Sequence, residues 1–223
     1  MRMIVKPVLY AHPFSSYCWK VLIALYENET AFTYRSLVPE DPQASAELEA
    51  LWPLKKFPAL VDGGQSVIES TVIIEYLTLH YPGPVRLIPA DPAAALEVRF
   101  LDRYFDNYIM TPMSKIVTNQ LRPGDQQDAY GVDEAREALD AAYGWLESLM
   151  TRRTWAAGDD FTLADCAAAP ALFYADWAHP LGERFPHTRR YRSRLLTRPA
   201  VARVVDEARP FRPLFPLGAP DRD

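Results

Sequence analysis

The segment Ser15-Ser16-Tyr17-Cys18 holds the residues of this 223-residue chain whose types and spacing best suit chemistry. It follows an apolar run, residues 3–10, that predicts a strand, and it leads into a run whose apolar residues keep helical spacing. Because Pro13 disfavours the helical region for the residue before it, we expect the helix to begin at Ser15 or Ser16. A hydroxyl there meets free backbone N–H groups and the positive end of the helix dipole. Such a place favours a bound anion, for example a thiolate.

The same four residues have the frame of a Cys-Pro-Tyr-Cys redox motif in which Ser15 replaces the first cysteine. A hydroxyl in that position removes disulfide chemistry but keeps a short donor directed at an incoming sulfur. A structural interpretation stands beside this one, with Ser15 only a helix cap and Cys18 a small buried hydrophobic residue. A redox interpretation places the chemistry on Cys18, because a helix N-terminus lowers a thiol pKa. The residues alone leave all three open.

The elements around this segment follow a β-α-β-α-β-β-α order. After the first helix we expect a strand at 32–37, a short helix at 44–52, and a hairpin turning at Asp62-Gly63-Gly64. This is the order of the thioredoxin fold, which places a cis-proline at the start of its third strand, where Pro58 stands. A cis bond would turn the Phe57 backbone outward, so that it could pair with an extended peptide.

Glu69-Ser70 precedes the next helix and forms a second candidate binding element. Ser70 at a helix N-terminus offers a hydroxyl and backbone N–H groups to a carboxylate, and Glu69 can pair with an ammonium. Together they suit the head group of an α-amino acid. Taken alone, the pair is ordinary helix capping.

The second half of the chain is helical throughout. A proline-rich linker at 83–89 separates residues 1–82 from an all-helical unit at 90–223, in which Pro112 should kink or end the first helix. Thr162 and Asp165 have the spacing of a capping box, and Phe161 and Cys166 stand at the two staple positions around it. The tail, residues 211–217, alternates proline with Phe and Leu and predicts an extended segment.

The chain resembles the soluble glutathione transferases, especially their zeta-like class, whose signature reads Ser-Ser-Cys-Ser-Trp-Arg-Val. It keeps both serines, Trp19 and a basic residue before Val21. The resemblance covers nearly the whole chain. It implies a thioredoxin-like, glutathione-binding domain followed by an all-α domain that lines an electrophile pocket.

The resemblance also implies roles. Ser15 would activate the glutathione thiol, although Ser16 is an alternative, and glutathione would be the co-substrate with no metal required. The implied glutathione-binding residues are Ser15, Lys56, Phe57, Pro58, Glu69 and Ser70, and the implied electrophile pocket is walled by Phe14, Tyr104, Tyr108 and Met113. Aromatic residues at helical spacing are more often core, which is the competing interpretation of these walls. We expect a homodimer, and a non-catalytic scaffold that keeps the fold is the alternative function.

Two departures from the zeta pattern bear on the reaction. Tyr17 replaces the zeta cysteine, and Lys56 stands where that class carries glutamine. Both weaken the case for maleylacetoacetate isomerase activity, although glutathione-dependent isomerisation stays an alternative to conjugation. Lys56 would either contact the glycyl carboxylate of glutathione or remain a solvated surface residue.

Composition narrows the class of protein. The net charge of −5 disfavours nucleic acid as a partner, and neither a membrane-length apolar run nor a signal-peptide pattern occurs. The two distant cysteines suggest no disulfide and point to a reduced, cytoplasmic setting. An arginine-rich stretch near the C-terminus is expected to form solvated faces and pairs with acids: Arg189, Arg190, Arg192, Arg194, Arg198 and Arg203.

Overall fold

A four-stranded mixed sheet forms the centre of the N-terminal half in the computed structural model, which describes residues 6–223. Its spatial order is β2-β1-β3-β4; β2 runs parallel to β1, and the β1–β3 and β3–β4 pairs are antiparallel. The elements are β1 (Val8–Ala11), α1 (Ser16–Glu27), β2 (Thr33–Ser36), α2 (Pro42–Leu51), β3 (Ala59–Asp62), β4 (Gln65–Ile68) and α3 (Ser70–His80). The predicted thioredoxin-like order is confirmed, and residues 3–5 of the predicted first strand lie outside the described residues.

Helix α1 is buried on nearly all sides. Every residue from Cys18 to Leu25 is inaccessible or almost so. The helix packs against α3 of its own half and against two helices of the other half, α7 (Leu163–Ala178) and α9 (Pro199–Ala208). A helix that is apolar all round belongs inside a protein. Lys20, only 1% exposed, is the exception to that pattern.

The C-terminal half is helical, as predicted. Its elements are α4 (Pro92–Tyr104), a π-helical turn (Phe105–Met110), α5 (Thr111–Asn119), α6 (Ala129–Met150), α7 (Leu163–Ala178), α8 (Pro186–Thr197) and α9 (Pro199–Ala208), with 3-10 turns at Gly124–Gln126 and Arg209–Leu214. Asp91 caps α4, and its Oδ1 accepts a hydrogen bond from the Ala94 N–H at 2.8 Å. Within residues 6–223 no helix is both long and apolar enough to span a membrane.

One of the two alternatives predicted for Pro112, and the prediction for the tail, need correction. The helical run does not end at Pro112; a π-helical turn precedes it, in which the Asp106 carbonyl accepts from the Thr111 N–H five residues on. Proline supplies no N–H and crowds the carbonyl one turn back, and the wider π turn accommodates it. The tail is not wholly extended, because Arg209–Leu214 forms a 3-10 helix.

The predicted capping box at the start of α7 is present and does more than cap. Asp165, fully buried, accepts from the Thr162 N–H at 2.9 Å. Its other oxygen accepts from the Ala156 N–H at 2.8 Å and from the Tyr191 hydroxyl at 2.6 Å. One carboxylate therefore holds the helix start, the preceding loop and α8 together.

The two halves are joined by direct contacts as well as by the segment between α3 and α4. Arg198 makes two hydrogen bonds of 2.6 Å to the carboxylate of Glu27 at the end of α1. The Tyr174 hydroxyl of α7 donates to the Phe14 carbonyl at 2.9 Å. The boundaries 1–82, 83–89 and 90–223 stay a prediction.

Candidate active site

A cleft of about 560 Å³ lies between the two halves. The N-terminal half supplies the start of α1, the loop before β3 and the start of α3, and the helical half supplies α4 and the π turn. All six residues predicted to bind a ligand line it, together with others from both halves: Ser15, Tyr17, Lys55, Lys56, Phe57, Pro58, Ile68, Glu69, Ser70, Arg103, Asp106 and Asn107. Its size is that of a small-molecule site.

Ser15 is the N-cap of α1, so the predicted helix start is confirmed. Its backbone is extended, and its Oγ accepts a hydrogen bond from the Cys18 N–H at 3.4 Å. The Ser15 N–H donates to the His12 carbonyl at 3.0 Å, which fixes the loop before the helix. Because the helix engages the oxygen as an acceptor, the hydroxyl hydrogen remains available to a ligand.

The Phe57–Pro58 peptide bond is cis, as predicted, and β3 begins one residue later at Ala59. Pro58 is buried, whereas Phe57 is 39% exposed in the cleft. Within residues 6–223 neither the N–H nor the carbonyl of Phe57 has a hydrogen-bond partner. This backbone is therefore available to an extended ligand.

The predicted role of Ser70 as a helix cap is wrong by one residue. Glu69 occupies the N-cap position and Ser70 is the first residue of α3. Glu69 has φ of 74°, a left-handed conformation that costs a residue with a Cβ roughly 1–3 kcal/mol. The start of α3 thus lies at the cleft, where the backbone N–H groups of a helix N-terminus suit a carboxylate.

The opposite wall is formed by residues that the sequence did not single out. Arg103, Asp106 and Asn107 line the cleft from α4 and the π turn. Behind them lies the ammonium of Lys20, whose Nζ is 2.8 Å from Asp106 Oδ2 and 2.5 Å from Asp102 Oδ1. A single lysine within an otherwise apolar, buried helix is the signal that could have identified this cluster.

Burial shifts the titration of the groups at this wall. Burial raises the pKa of Asp106, although the Lys20 ammonium opposes the shift. Burial also raises the pKa of Tyr17 to about 12, so its hydroxyl stays protonated at neutral pH.

Comparison with known proteins decides the family. Residues 9–85 match the model of the glutathione S-transferase N-terminal domain, and residues 109–199 match that of its C-terminal domain. This chain belongs to the glutathione S-transferase family. The resemblance and the fold class predicted from the sequence are thereby confirmed, and the transferase is an enzyme of the class expected.

Several relatives match this transferase over most of their length. A probable maleylacetoacetate isomerase of Caenorhabditis elegans is 31% identical over 173 residues, which are 77% of this chain and 79% of that protein. Glutathione S-transferase 3 of Zea mays is 31% identical over 88% of this chain and 92% of its own. A solved glutathione S-transferase of Methylobacterium radiotolerans, in complex with glutathione sulfonate, is 30% identical with a TM-score of 0.78, covering 90% of this chain and 95% of that chain.

A second, more apolar cavity of about 240 Å³ adjoins Ser15 in the transferase. Two of the four predicted electrophile-pocket residues, Phe14 and Met113, line it, and Leu214 and Phe215 of the C-terminal tail close one side. Ser16 also lines this smaller cavity but not the larger cleft, whereas Ser15 lines both. Ser15 therefore stands where the two cavities meet.

The other two predicted pocket residues line neither cavity. Tyr104 is buried in the helical half, where its hydroxyl donates to the Ala142 carbonyl at 2.6 Å, and Tyr108 is 59% exposed on the surface. Residues four apart advance 400° around an α-helix, so a four-residue stripe turns by about 40° at each step. The stripe therefore winds away from the cleft.

Neither cysteine of the transferase suits thiol chemistry. Cys18 is inaccessible, and burial raises its pKa to about 12 although the Ser15 hydroxyl opposes the shift. Burial likewise raises the pKa of Cys166, which is inaccessible in the core of the helical half. The structure thus argues against the redox interpretation of Cys18, because a thiolate is the reactive form.

Proposed function

We propose that this transferase binds glutathione in the 560 Å³ cleft and that the Ser15 hydroxyl donates a hydrogen bond to the glutathione sulfur. The observation that carries the proposal is the place of Ser15. It caps α1 with its oxygen, lines both cavities and has a hydroxyl hydrogen to donate.

The energetic requirement is modest. Lowering the pKa of the glutathione thiol by one unit takes about 1.4 kcal/mol of preferential interaction with the thiolate. One charge-assisted hydrogen bond at a helix N-terminus is of that size, at about 1.5–3 kcal/mol. Ser15 at the start of α1 supplies both the donor and the favourable end of the helix dipole.

The rest of the cleft matches the charges of glutathione. The start of α3 and the carboxylate of Glu69 suit the carboxylate and ammonium of the γ-glutamyl residue, with Ser70 beside them. The exposed backbone of Phe57 before cis-Pro58 suits the peptide, and Lys56 suits the glycyl carboxylate. Each end of the tripeptide thus meets groups of opposite charge.

The second substrate belongs in the smaller cavity. Phe14, Met113 and Phe215 give it an apolar lining, and Ser15 stands at its junction with the glutathione cleft. A small hydrophobic electrophile placed there would face the sulfur. We propose conjugation of glutathione to such a molecule, or its glutathione-dependent isomerisation, which the names of the maleylacetoacetate isomerase relatives support.

Calorimetry with millimolar glutathione, followed by assays of conjugation to a chlorodinitrobenzene and of maleylacetoacetate isomerisation, tests the function. We expect saturable heat and activity in at least one assay. Absence of heat, together with failure to elute from a glutathione resin, would contradict the proposal and favour the scaffold alternative.

We also propose that the transferase is a homodimer. Four large apolar side chains are exposed on α4, the π turn and α6: Leu96, Phe100, Tyr108 and Trp145 are 68%, 51%, 59% and 41% exposed. Phe100 meets the Trp145 ring edge to face at 5.9 Å, and Tyr104 links Trp145 to Tyr108. An exposed apolar surface of this kind marks a protein contact.

Light scattering after size-exclusion chromatography tests the homodimer. It should show a dimer for the wild type and a monomer for Phe100→Glu, and a monomeric wild type would contradict the proposal.

A further inference from the structure

A cluster of four charged groups, three of them buried, lies where the two halves meet. Lys20 comes from α1, whereas Asp102, Arg103 and Asp106 come from α4 and the π turn. The side chains of Lys20, Asp102 and Asp106 are 1%, 1% and 8% exposed. Thr71 of α3 joins the cluster, receiving a hydrogen bond from Lys20 Nζ at 2.9 Å and donating to Asp102 Oδ2 at 2.9 Å.

The cluster is neutral only as a complete set. Two cations balance two carboxylates, and Arg103 contacts both Asp102, at 2.7 Å, and Asp106. Withdrawing such groups from water is costly, and apolar residues of similar volume often serve stability as well or better. Removing Lys20 alone would leave two buried carboxylates with one guanidinium between them. Stability by itself therefore gives little reason for a lysine in this apolar helix.

The geometry connects the cluster to the active site. Asp106 and Arg103 line the same cleft as Glu69 and Ser70, whereas Lys20 lies behind this wall and does not line it. Arg103 is 49% exposed and would be mobile without fixed partners, because a long side chain loses considerable rotamer entropy when it is held. Lys20 fixes the Asp106 carboxylate through an ion pair, and Asp106 in turn fixes the Arg103 guanidinium through a second ion pair.

We propose that Lys20 is a positioning residue for the active site, whose ammonium fixes the Asp106 carboxylate and the Arg103 guanidinium in the cleft wall. Because Lys20 belongs to the N-terminal half and its partners to the helical half, the same contact couples cleft occupancy to the docking of the two halves. The binding measurement below rests on the proposed glutathione function; the titration measurement does not.

Replacing Lys20 changes how the wall titrates. The groups that face Asp106 are Lys20, Asp102 and Arg103 within the cluster and Tyr17 from α1. The Lys20 ammonium opposes the effect of burial on the pKa of Asp106, so without it this pKa rises further above its ordinary range than in the wild type. The charge of the cleft wall then depends on pH more than it does in the wild type.

The test compares Lys20→Met, Lys20→Arg and a matched control, Arg99→Met. Arg99 forms an exposed ion pair with Glu75 across the same interface between α4 and α3, at 2.8 Å, and lies outside the cleft. Glutathione Kd is measured by calorimetry between about pH 5 and 8. We expect Lys20→Met to raise Kd about tenfold with a new pH dependence, and Lys20→Arg and Arg99→Met to stay within about threefold of the wild type.

A different result is expected if Lys20 contributes only to stability. Lys20→Met would then lower the melting temperature while the folded fraction kept the wild-type Kd and pH profile, and this outcome would overturn the proposal. Should Lys20→Met not fold, hydrogen exchange of the wild type decides: glutathione should protect the amides of both α1 and the π turn, and protection confined to the N-terminal half would contradict the coupling.

A separate measurement distinguishes failure of the proposed glutathione function from failure of the positioning role of Lys20. If the wild type binds no glutathione, carboxyl carbon NMR follows Asp106 in the free proteins. We expect its titration midpoint to rise by at least one unit in Lys20→Met relative to Lys20→Arg. Identical midpoints would overturn the positioning role, whatever ligand the cleft takes.

Discussion

Ser15 Oγ accepts the backbone N–H of Cys18, and the two atoms lie 3.4 Å apart. The contact engages the oxygen as an acceptor at the first turn of α1, which leaves the hydroxyl hydrogen to be donated. The cap and the proposed thiolate donor are thus combined in one side chain. Substitutions that keep one of these functions and remove the other separate them.

Ser15→Asp keeps a good capping oxygen but places a carboxylate where the thiolate forms. We expect its melting temperature to stay close to that of the wild type, whereas Ser15→Ala loses about 1 kcal/mol of stability with the cap. Both variants should lower kcat/KM for conjugation by about tenfold or more, because neither donates to the sulfur, and Ser15→Ala should change glutathione affinity little. Ser16→Ala is the matched control, and an equal loss of rate in that variant would assign the activating hydroxyl to Ser16.

Cys18 and Cys166 should be inert in the folded protein. Both are inaccessible, and burial raises both pKa values, so a thiol-specific reagent at neutral pH should modify neither until denaturant is added. Cys18→Ala should retain transferase activity. Loss of activity in Cys18→Ala that Ser15→Ala does not share would restore the redox interpretation.

Asp165 should serve stability and not catalysis. Asp165→Ala removes the hydrogen-bond acceptor of the buried N–H groups of Thr162 and Ala156 and of the Tyr191 hydroxyl. We expect a loss of roughly 3 kcal/mol or more in the free energy of unfolding, read from urea denaturation, with the glutathione affinity of the folded fraction unchanged. Asp133→Ala, an exposed aspartate on α6, should lie within about 0.5 kcal/mol of the wild type. A collapse of activity at constant stability would contradict this assignment.

His12 should make the protein less stable in mild acid. Its Nδ1 accepts from the Phe14 N–H at 3.1 Å, and burial lowers its pKa below the ordinary 6.5. Between the pKa of His12 in the folded protein and that in the unfolded chain, the unfolded chain binds more protons. The contribution of His12 to stability is therefore fully present above pH 6.5 and falls as the pH drops below that value. His12→Asn should flatten this dependence in denaturation curves, and His80→Asn, at an exposed site, should not. An unchanged slope in His12→Asn would place the acid sensitivity elsewhere.

Features set by local chemistry were predictable from the sequence. Pro13 and Ser15 located the start of α1, and Thr162 with Asp165 located that of α7. The Gly63-Gly64 hairpin and the order of elements indicated the sheet, and with it the cis bond before Pro58. At each helix start and at the hairpin, a residue with a strong backbone preference acts within a few positions of itself, whereas the cis bond was predicted from the thioredoxin-like order of elements.

Features that depend on distant partners were not predictable in this way. In the sequence, Lys20 is only one basic residue in an apolar helix. Its partners Asp102 and Asp106 lie more than 80 positions later and contact it only in the folded structure. Glu69 adopts its left-handed φ because the surrounding fold holds it there. Tyr104 and Tyr108 were misplaced because the helical stripe winds as it runs into a π turn that the spacing alone does not reveal.

The pKa of the glutathione thiol within the complex tests the central claim most directly. It is read from the ultraviolet absorbance of the thiolate as the pH is varied, in the wild type and in Ser15→Ala at saturating glutathione. We expect the pKa in the wild-type complex to lie at least about one unit below that in the Ser15→Ala complex, which corresponds to about 1.4 kcal/mol from the hydroxyl. Equal pKa values in the two complexes would contradict the role assigned to Ser15.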